Sequence, residues 1–306
     1  MVSFSDLRAA AVHRLLTNVQ LAAFHRDGFV VLPSLFEERE LVLLRDAADL
    51  IFELAVNATL ALGRRYPRMD ARFDEDGTLT LRKIQPVNDL SDVIAAVATD
   101  ERLIAPMRQI MRDEPVLMEE KLNFKQSTRV PGLDLAFLRQ SSVNPEVGLE
   151  GFLLHHDWGY YRMQGYPETI LSCAVAIDDC AGRGPIRVIP GSHLLDVPMA
   201  NPDPASGSGV VAAGFFDTVP LVPIDAPAGS VMLFHSKLVH DSQPNRSGLP
   251  RRLLIYSHYP KSHDPDGDPD RRNAPTRRYA QGFEAQYRAL LANGSYRPRF
   301  ALGSAW

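Results

Sequence analysis

The chain has 306 residues, of which 45% are hydrophobic and 23% are charged, and its formal net charge is −4. This composition is close to that of average soluble proteins, so it excludes a disordered chain and favours a sizeable buried core. The weak negative charge gives no reason to expect a nucleic-acid or membrane partner, and no apolar run reaches the ~20 residues of a membrane helix. With only two cysteines and no signal-peptide pattern, we expect a cytoplasmic protein without disulfides.

The first 113 residues carry mainly the pattern of amphipathic helices. In the longest of them, apolar residues recur with a 3.6-residue period over residues 37–62. Capping residues stand before two others, at Asn18 and Asp100. We therefore predict, in chain order, a helix over 18–25, a short strand over Phe29–Leu32, and helices over 37–62, 90–98 and 101–112.

From about residue 115 the pattern changes to short apolar runs separated by proline and glycine turns. We predict strands over residues 116–118, 122–124, 170–177, 186–189, 231–234 and 253–259, and a final helix near 282–293. Many short strands without alternating helices indicate an antiparallel double-sheet or jelly-roll barrel. The predicted fold is therefore mainly β with flanking helices, in one domain: a mostly helical flank over 1–113, a jelly-roll core over 114–260, and a helix and tail over 261–306.

Two histidines and an aspartate are the candidate metal ligands. His155 and Asp157 are two residues apart, so in an extended segment both side chains point to the same side. His240 follows a predicted strand and can supply a second histidine from a distant part of the chain. Such a ligand set leaves three positions open on a metal, which is the arrangement of non-haem Fe(II) oxygenases. His235 is the other histidine on this stretch, and we interpret it as structural.

Arg251 is the candidate anchor for an acidic co-substrate. An antiparallel hairpin after His240 would place Arg251 across from the metal ligands, where a fixed guanidinium can form a bidentate pair with a carboxylate. Adjacent residues of a strand face opposite sides, so only one of Arg251 and Arg252 can point inward. The sequence therefore predicts a metal site with an anion anchor one strand away.

Five segments, taken in order, carry a resemblance to a known family. They are FHRDGFVVLPSLF at 24–36, LNFKQ at 122–126, HHDWGYY at 155–161, RVIPGSH at 187–193 and GSVMLFHSKLVHDSQPNRSGLPRR at 229–252. With these segments the chain resembles the phytanoyl-CoA dioxygenase family of Fe(II)/2-oxoglutarate oxygenases over most of its length. The resemblance implies a double-stranded β-helix fold and a reaction in which 2-oxoglutarate and O₂ give succinate and CO₂ while a substrate is oxidised.

The resemblance also implies roles for particular residues. The implied iron ligands are His155, Asp157 and His240. The implied contacts to 2-oxoglutarate are Arg251, which the family's spacing favours over Arg252, together with Ser242, Lys125 and His156. The candidate substrate contacts are Trp158, Tyr160 and Tyr161, which could equally be ordinary barrel packing. Halogenating relatives lack the aspartate of the ligand set, so its presence here implies hydroxylation or a related oxidation.

We therefore expect an Fe(II)/2-oxoglutarate-dependent dioxygenase that oxidises an unactivated C–H bond of a small metabolite, in secondary metabolism. One alternative is a hydrolase or isomerase with zinc on the same ligands, which would need neither O₂ nor 2-oxoglutarate. Another is a barrel that binds a metabolite without catalysis. Selectivity is expected from insertions over 127–150 and 200–217, but neither the substrate nor the oligomeric state can be read from the sequence.

Overall fold

The computed structural model describes residues 15–73, 78–129, 151–203, 208–264 and 266–302. Over these residues the chain forms six α-helices and thirteen β-strands. The helices are α1 (Asn18–Asp27), α2 (Glu38–Leu62), α3 (Asp92–Ala98), α4 (Glu101–Met111), α5 (Trp158–Tyr161) and α6 (Ala274–Ala292). The strands are β1 (Phe29–Leu32), β2 (Met69–Phe73), β3 (Thr78–Ile84), β4 (Pro115–Arg129), β5 (Phe152–His155), β6 (Leu171–Ala176), β7 (Ile186–Val188), β8 (Met199–Asp203), β9 (Ser208–Val211), β10 (Val222–Pro223), β11 (Val231–His235), β12 (His240–Ser242) and β13 (Arg252–Pro260).

Two antiparallel sheets face each other. The larger has the strand order β1-β11-β6-β13-β4-β3-β2, and the smaller has the order β10-β7-β12-β5. Side chains from both sheets line one cavity, so the sheets are opposed with that cavity between them. β8 and β9 form a separate two-stranded hairpin. Two opposed antiparallel sheets of this kind form the jelly-roll fold that the sequence predicts.

The main apolar core lies between the outer face of the larger sheet and the helices. At the start of α2 the Glu40 carboxylate accepts the backbone N–H of Glu37 at 2.8 Å, and the helix ends at Gly63, whose φ of 62° is left-handed. Its buried side packs on the sheet, where Phe52 meets Phe124 of β4 edge to face with ring centroids 5.3 Å apart. The helices therefore cover the outer face of the sheet, and the inner face is left for the site.

The described helices agree with the predicted ones to within a few residues, except that α6 begins at Ala274 rather than near 282 and that the short helix α5 was not predicted. The prediction of a mostly helical start missed β2 and β3, which pair with each other and, through β3, with β4. β4 is one long strand that crosses the charged residues Glu119 and Glu120, where the sequence suggested two short strands. Both carboxylates are buried and have half-buried arginine partners, Arg272 and Arg277, so the strand continues through them.

The two insertions expected to control selectivity are only partly within the described residues. Of the first, 127–150, residues 130–150 lie outside them, and of the second, 200–217, residues 204–207 do. The rest of the second insertion contains most of the β8–β9 hairpin, which the sequence did not predict. Within the described part of the chain, none of the helices has the length and apolar character needed to cross a bilayer.

Candidate metal centre and anion pocket

A cavity between the two sheets contains about 480 Å³ of space free of protein atoms, including the part open to solvent. Its wall carries a group of potential metal ligands, a buried arginine, a serine of β12 and two polar residues of β4. These residues are His155, Asp157, His240, Arg251, Ser242, Lys121 and Asn123. Asp241, which pairs with Arg187, and apolar side chains that include Phe234, Leu253 and Ile255 complete the wall.

His155, Asp157 and His240 each bring one ligand atom to within 4.8 Å of the others. His155 ends β5 and lies opposite His240 of β12 in the antiparallel register, with ring centroids 4.3 Å apart. Asp157 immediately precedes α5, and its Oδ1 is 3.7 Å from Nε2 of His155. Within the described residues this is the one group with such a geometry. The arrangement offers one face of a metal ion two nitrogens and one carboxylate oxygen.

Backbone carbonyls fix the orientation of both imidazoles. Nδ1 of His155 lies 2.6 Å from the carbonyl oxygen of Leu153, and Nδ1 of His240 lies 2.9 Å from that of Leu238. A carbonyl oxygen can only accept a hydrogen bond, so we assign the proton of each ring to Nδ1 and a free lone pair to Nε2. Metal-binding histidines usually donate their second N–H in this way.

Burial and the neighbouring His240 lower the pKa of His155 to about 3, so its imidazole is neutral at neutral pH. Burial acts to raise the pKa of Asp157, but Lys121, His240 and His155 together hold it below its ordinary value. The side chains of His155 and Asp157 are only 12% and 10% exposed. Both groups are therefore in the protonation state that a divalent metal needs.

Arg251 lies in the same cavity, and its side chain is buried with 2% exposure. Nη2 donates to the carbonyl oxygen of Gly184 at 3.1 Å, whereas Nε and Nη1 have no hydrogen-bond partner among the described residues. The hydroxyl of Ser242, in the same wall, also has no partner among them. Buried donors without acceptors cost free energy, and the planar fork of a guanidinium matches a carboxylate. The geometry therefore suits the binding of an organic acid.

Arg252, the neighbouring arginine, faces away from this cavity. Its Nε and Nη2 donate to the two carboxylate oxygens of Asp178 at 2.8 and 3.1 Å, and Nη1 donates to Asp49 of α2. Consecutive residues of a strand face opposite sides of the sheet. Of the two arginines, Arg251 is thus the one on the side of the metal ligands.

Two of the expected co-substrate contacts are not among the described residues that line the cavity. The ammonium of Lys125 donates to the carbonyl oxygen of Gln243. The ring of His156 accepts the N–H of Gly159 at 3.1 Å and stacks on Trp158, with centroids 6.3 Å apart. The structure therefore places Lys125 and His156 around the site rather than on the cavity wall.

The three aromatic residues after the ligand motif have different surroundings. The ring of Tyr160 lies edge-on to His155 at 6.0 Å between centroids, beside the metal ligands. Tyr161 is buried and donates to Glu119 at 2.7 Å. The ammonium of Lys237 lies over the ring of Trp158, with Nζ 5.6 Å from the ring centroid. Of the three, Tyr160 is placed best for contact with a bound molecule.

Lys121 and Asn123 are cavity residues that the sequence analysis did not identify. Both lie on the inner face of β4 and alternate with Leu122 and Phe124, which point to the core. The alternation of polar and apolar residues over 121–124 is the period-two signal that could have found them. His235, interpreted as structural, packs on His193 with centroids 5.5 Å apart and is not part of the ligand group.

The chain is similar to known proteins over most of its length. The family model described as phytanoyl-CoA dioxygenase (PhyH) matches residues 24–253. The chain is 28% identical over 257 residues to an ectoine dioxygenase of Halomonas elongata, which covers 79% of this chain and 69% of that protein. It is 29% identical over 256 residues to an ectoine dioxygenase of Sphingopyxis alaskensis, covering 78% of this chain and 74% of that protein.

Solved structures show the same fold. The structure of EctD from S. alaskensis with 2-oxoglutarate and 5-hydroxyectoine has a TM-score of 0.58 at 26% identity, covering 83% of this chain and 81% of that one. The epimerase SnoN, solved with Fe³⁺, α-ketoglutarate and nogalamycin RO, has a TM-score of 0.55 at 20% identity, covering 79% of this chain and 82% of that one. These likenesses confirm the jelly-roll fold.

Proposed function

The chain belongs to the phytanoyl-CoA dioxygenase family, and from that premise we propose that it hydroxylates, or otherwise oxidises, an unactivated C–H bond of a small metabolite. It is an oxidoreductase of the Fe(II)/2-oxoglutarate-dependent class, which uses O₂ as co-substrate. In the proposed reaction, 2-oxoglutarate and O₂ become succinate and CO₂ as the metabolite is oxidised. We further propose that this metabolite belongs to secondary metabolism.

In this proposal His155, Asp157 and His240 hold the iron. The donor set fits, because two imidazole nitrogens and one carboxylate on a single face suit Fe(II) and leave its other positions for ligands. Iron and 2-oxoglutarate, when bound, supply the oxidising chemistry itself. The residues of the chain orient the two ligands and shield the site, because the three side chains lie between two sheets with little exposure.

The observation that carries the proposal is the presence of an unmatched guanidinium in the same cavity as the ligand group. Arg251 has two donors without acceptors among the described residues, and the Ser242 hydroxyl has none either. A dicarboxylate such as 2-oxoglutarate would supply the missing acceptors through its distal carboxylate, while its other end reaches the metal. We give Lys125 and His156 only an indirect role, through the residues that they contact.

The zinc-dependent alternative is not favoured. A zinc ion with a bound water would need only the three ligands, and the unpartnered donors of Arg251 would stay without acceptors. The curated relatives are also dioxygenases. A barrel that only binds a metabolite is not supported by a complete ligand group held in the protonation state that a metal needs.

The test is the formation of succinate by the purified protein, with iron, 2-oxoglutarate and O₂ each omitted in turn, across a panel of small metabolites that includes ectoine. We expect succinate only when all three are present, with an increase for metabolites that the enzyme accepts. Asp157→Ala should abolish it, and Asp196→Ala, which removes an exposed carboxylate, should not. If wild type with bound iron forms no succinate with any metabolite, the proposed reaction is wrong.

A further inference from the structure

Resting on the proposed function, we propose that the substrate carries an anionic group, a carboxylate or a phosphoryl group. Lys121 would hold this group beside the metal ligands, with support from Arg82. The proposal comes from a set of cationic side chains on the inner faces of β3 and β4 that have too few acidic partners. None of the assigned iron or 2-oxoglutarate contacts belongs to this set.

Lys121 is held in a fixed position in the cavity wall. Its ammonium donates to Oε2 of Glu119 at 2.9 Å, and its side chain is 14% exposed. Glu119 is itself fixed, because Tyr161 donates to the same oxygen at 2.7 Å and Gln85 donates to Oε1 at 2.9 Å. Among the described residues Lys121 forms an ion pair only with Glu119, so its remaining N–H donors are open to a molecule in the cavity.

The charge of Glu119 does not neutralise this region. Arg272 also pairs with Glu119, with Nη2 2.8 Å from Oε1, so two cations share one buried carboxylate. One positive charge is therefore left over next to the metal ligands. A charge at this depth is stabilised less by water than one at the surface, so a bound anion would interact with it strongly.

Arg82 extends the same cationic surface. Its neighbour Lys83 lies opposite Asn123 in the β3–β4 register but lines a second cleft with Asp70 and Arg272, and the charge of Asp70 acts on its ammonium. The guanidinium of Arg82 lies over the ring of Phe152, 4.6 Å from its centroid, and its Nε is buried without a partner among the described residues.

The acidic side chains in this region do not balance these cations. The carboxylate nearest to Arg82 is that of Asp70, at 3.9 Å, and Asp70 is also approached by Arg65 at 3.8 Å. Asp157 belongs to the ligand group, where a bound metal would match its charge, although this charge also acts on Lys121. A neutral or cationic substrate would leave the excess charge without a partner, whereas an anionic group would complete it.

The experiment measures anion binding by calorimetry, under anaerobic conditions, to the protein loaded with Fe(II) and 2-oxoglutarate. The probes are inorganic phosphate and acetate, and the visible absorption of the iron–2-oxoglutarate complex reports whether 2-oxoglutarate stays bound. We expect one anion to bind with 2-oxoglutarate retained. Lys121→Gln should weaken it about tenfold or more, since a hydrogen bond to a charged group is lost. Lys121→Arg should keep the binding, and Lys261→Gln, at an exposed lysine, should not change it.

The stronger of the two probes identifies the group, phosphate for a phosphoryl group and acetate for a carboxylate. The inference is overturned if wild type binds neither anion while the absorption is intact. It is also overturned if Lys121→Gln binds the anion as wild type does, or if the anion binds only by displacing 2-oxoglutarate. Absence of the absorption in wild type with bound iron would instead show that the proposed function fails, and the inference would fail with it.

Discussion

Arg251 and Ser242 together present three buried polar atoms without partners among the described residues: Nε and Nη1 of the arginine and the hydroxyl of the serine. Buried polar groups are nearly always hydrogen-bonded in folded proteins, so such atoms in one cavity wall need an explanation. A bound carboxylate would account for all three. Leaving these atoms without partners costs folding free energy, and such a ligand would remove that cost.

Ser242→Ala tests this explanation at one atom. Because the hydroxyl has no partner among the described residues, its loss should change the free energy of unfolding by less than about 0.5 kcal/mol. It should weaken the binding of 2-oxoglutarate to the iron-loaded protein about fivefold, through one lost hydrogen bond. Calorimetric titration measures the affinity, with Ser295→Ala at an exposed site as the control. Unchanged affinity would remove Ser242 from the proposed contacts.

His258 is a second buried residue with unmatched polar atoms, but it lies in the main core rather than at the site. It is 1% exposed, faces Leu117 and Leu171 on the neighbouring strands, and has no partner at either ring nitrogen among the described residues. Burial lowers its pKa to about 3. As the pH falls below the unfolded pKa of ~6.5, the unfolded chain takes up the proton first, so stability is lost between this value and about 3.

His258→Leu should therefore reduce the acid sensitivity of the metal-free protein. Between pH 7.5 and 4.5, the wild type should lose about 2 to 3 kcal/mol of unfolding free energy through this histidine, and the variant should not. Urea denaturation at the two pH values measures the difference. His25→Leu, at an exposed histidine, should leave the loss as in wild type. Equal losses in His258→Leu and wild type would contradict the assignment of a neutral buried imidazole.

At the scale of elements, a buried ion-pair group joins the N-terminal ends of α2 and α4. Nη2 of Arg102 lies 2.7 Å from Glu40 and 2.8 Å from Asp100, and Nη1 donates to the carbonyl oxygen of Leu35 at 3.0 Å. Glu40 also accepts the N–H of Glu37 at the start of α2. One arginine thus satisfies the carboxylates that cap two helices on the outer face of the larger sheet.

Arg102→Met should destabilise the fold strongly, because it leaves two buried carboxylates without a cation. We expect a loss of about 3 to 5 kcal/mol in the free energy of unfolding at pH 7.5. Arg108→Met is the matched control on the same helix, since its ion pairs with Glu101 and Glu114 are exposed and contribute about 0 to 1 kcal/mol. Chemical denaturation measures both. Similar losses in the two variants would show that the buried group does not join the helices as described.

The sequence predicts elements well where their signals are local. The structure contains the long helix α2, which the 3.6-residue apolar periodicity predicts, and the Asp100 cap of α4. It also contains the predicted strands β6, β11 and β13, which are separated by turns. β12 was not predicted, because it has three residues and is a strand only through its pairing with β5 and β7. β2 and β3 were missed for a related reason, since they are stabilised by addition to the edge of an existing sheet.

The same distinction holds for the site. The His155–Asp157 spacing indicates that both side chains face one side, but only the sheet register places His240 beside them. Lys121 was not predicted, because its role depends on which strand lies next to the metal ligands and on the buried partners of Glu119. Local pattern thus predicts candidate ligands, while their neighbours follow from topology.

At the scale of the whole molecule, the jelly-roll fold gathers residues that are far apart in the chain. His155 and His240 come from neighbouring strands of the smaller sheet, and Arg251 directly precedes β13 of the larger one. Helices cover the outer face of the larger sheet, so its inner face is free to line the cavity. The pattern of short strands separated by turns predicts this class of fold, but it does not predict the order of the strands in the sheets.

The central claim is that this cavity binds Fe(II) through the three ligands and 2-oxoglutarate through Arg251. The most direct measurement is an anaerobic titration of the metal-free protein with Fe(II) and then 2-oxoglutarate, followed by visible absorption. We predict a charge-transfer band in wild type and in Arg246→Met, an exposed-arginine control. Arg251→Met should bind iron but need far more 2-oxoglutarate, and Asp157→Ala should lose the iron. Iron bound by wild type without any band at saturating 2-oxoglutarate would contradict the account.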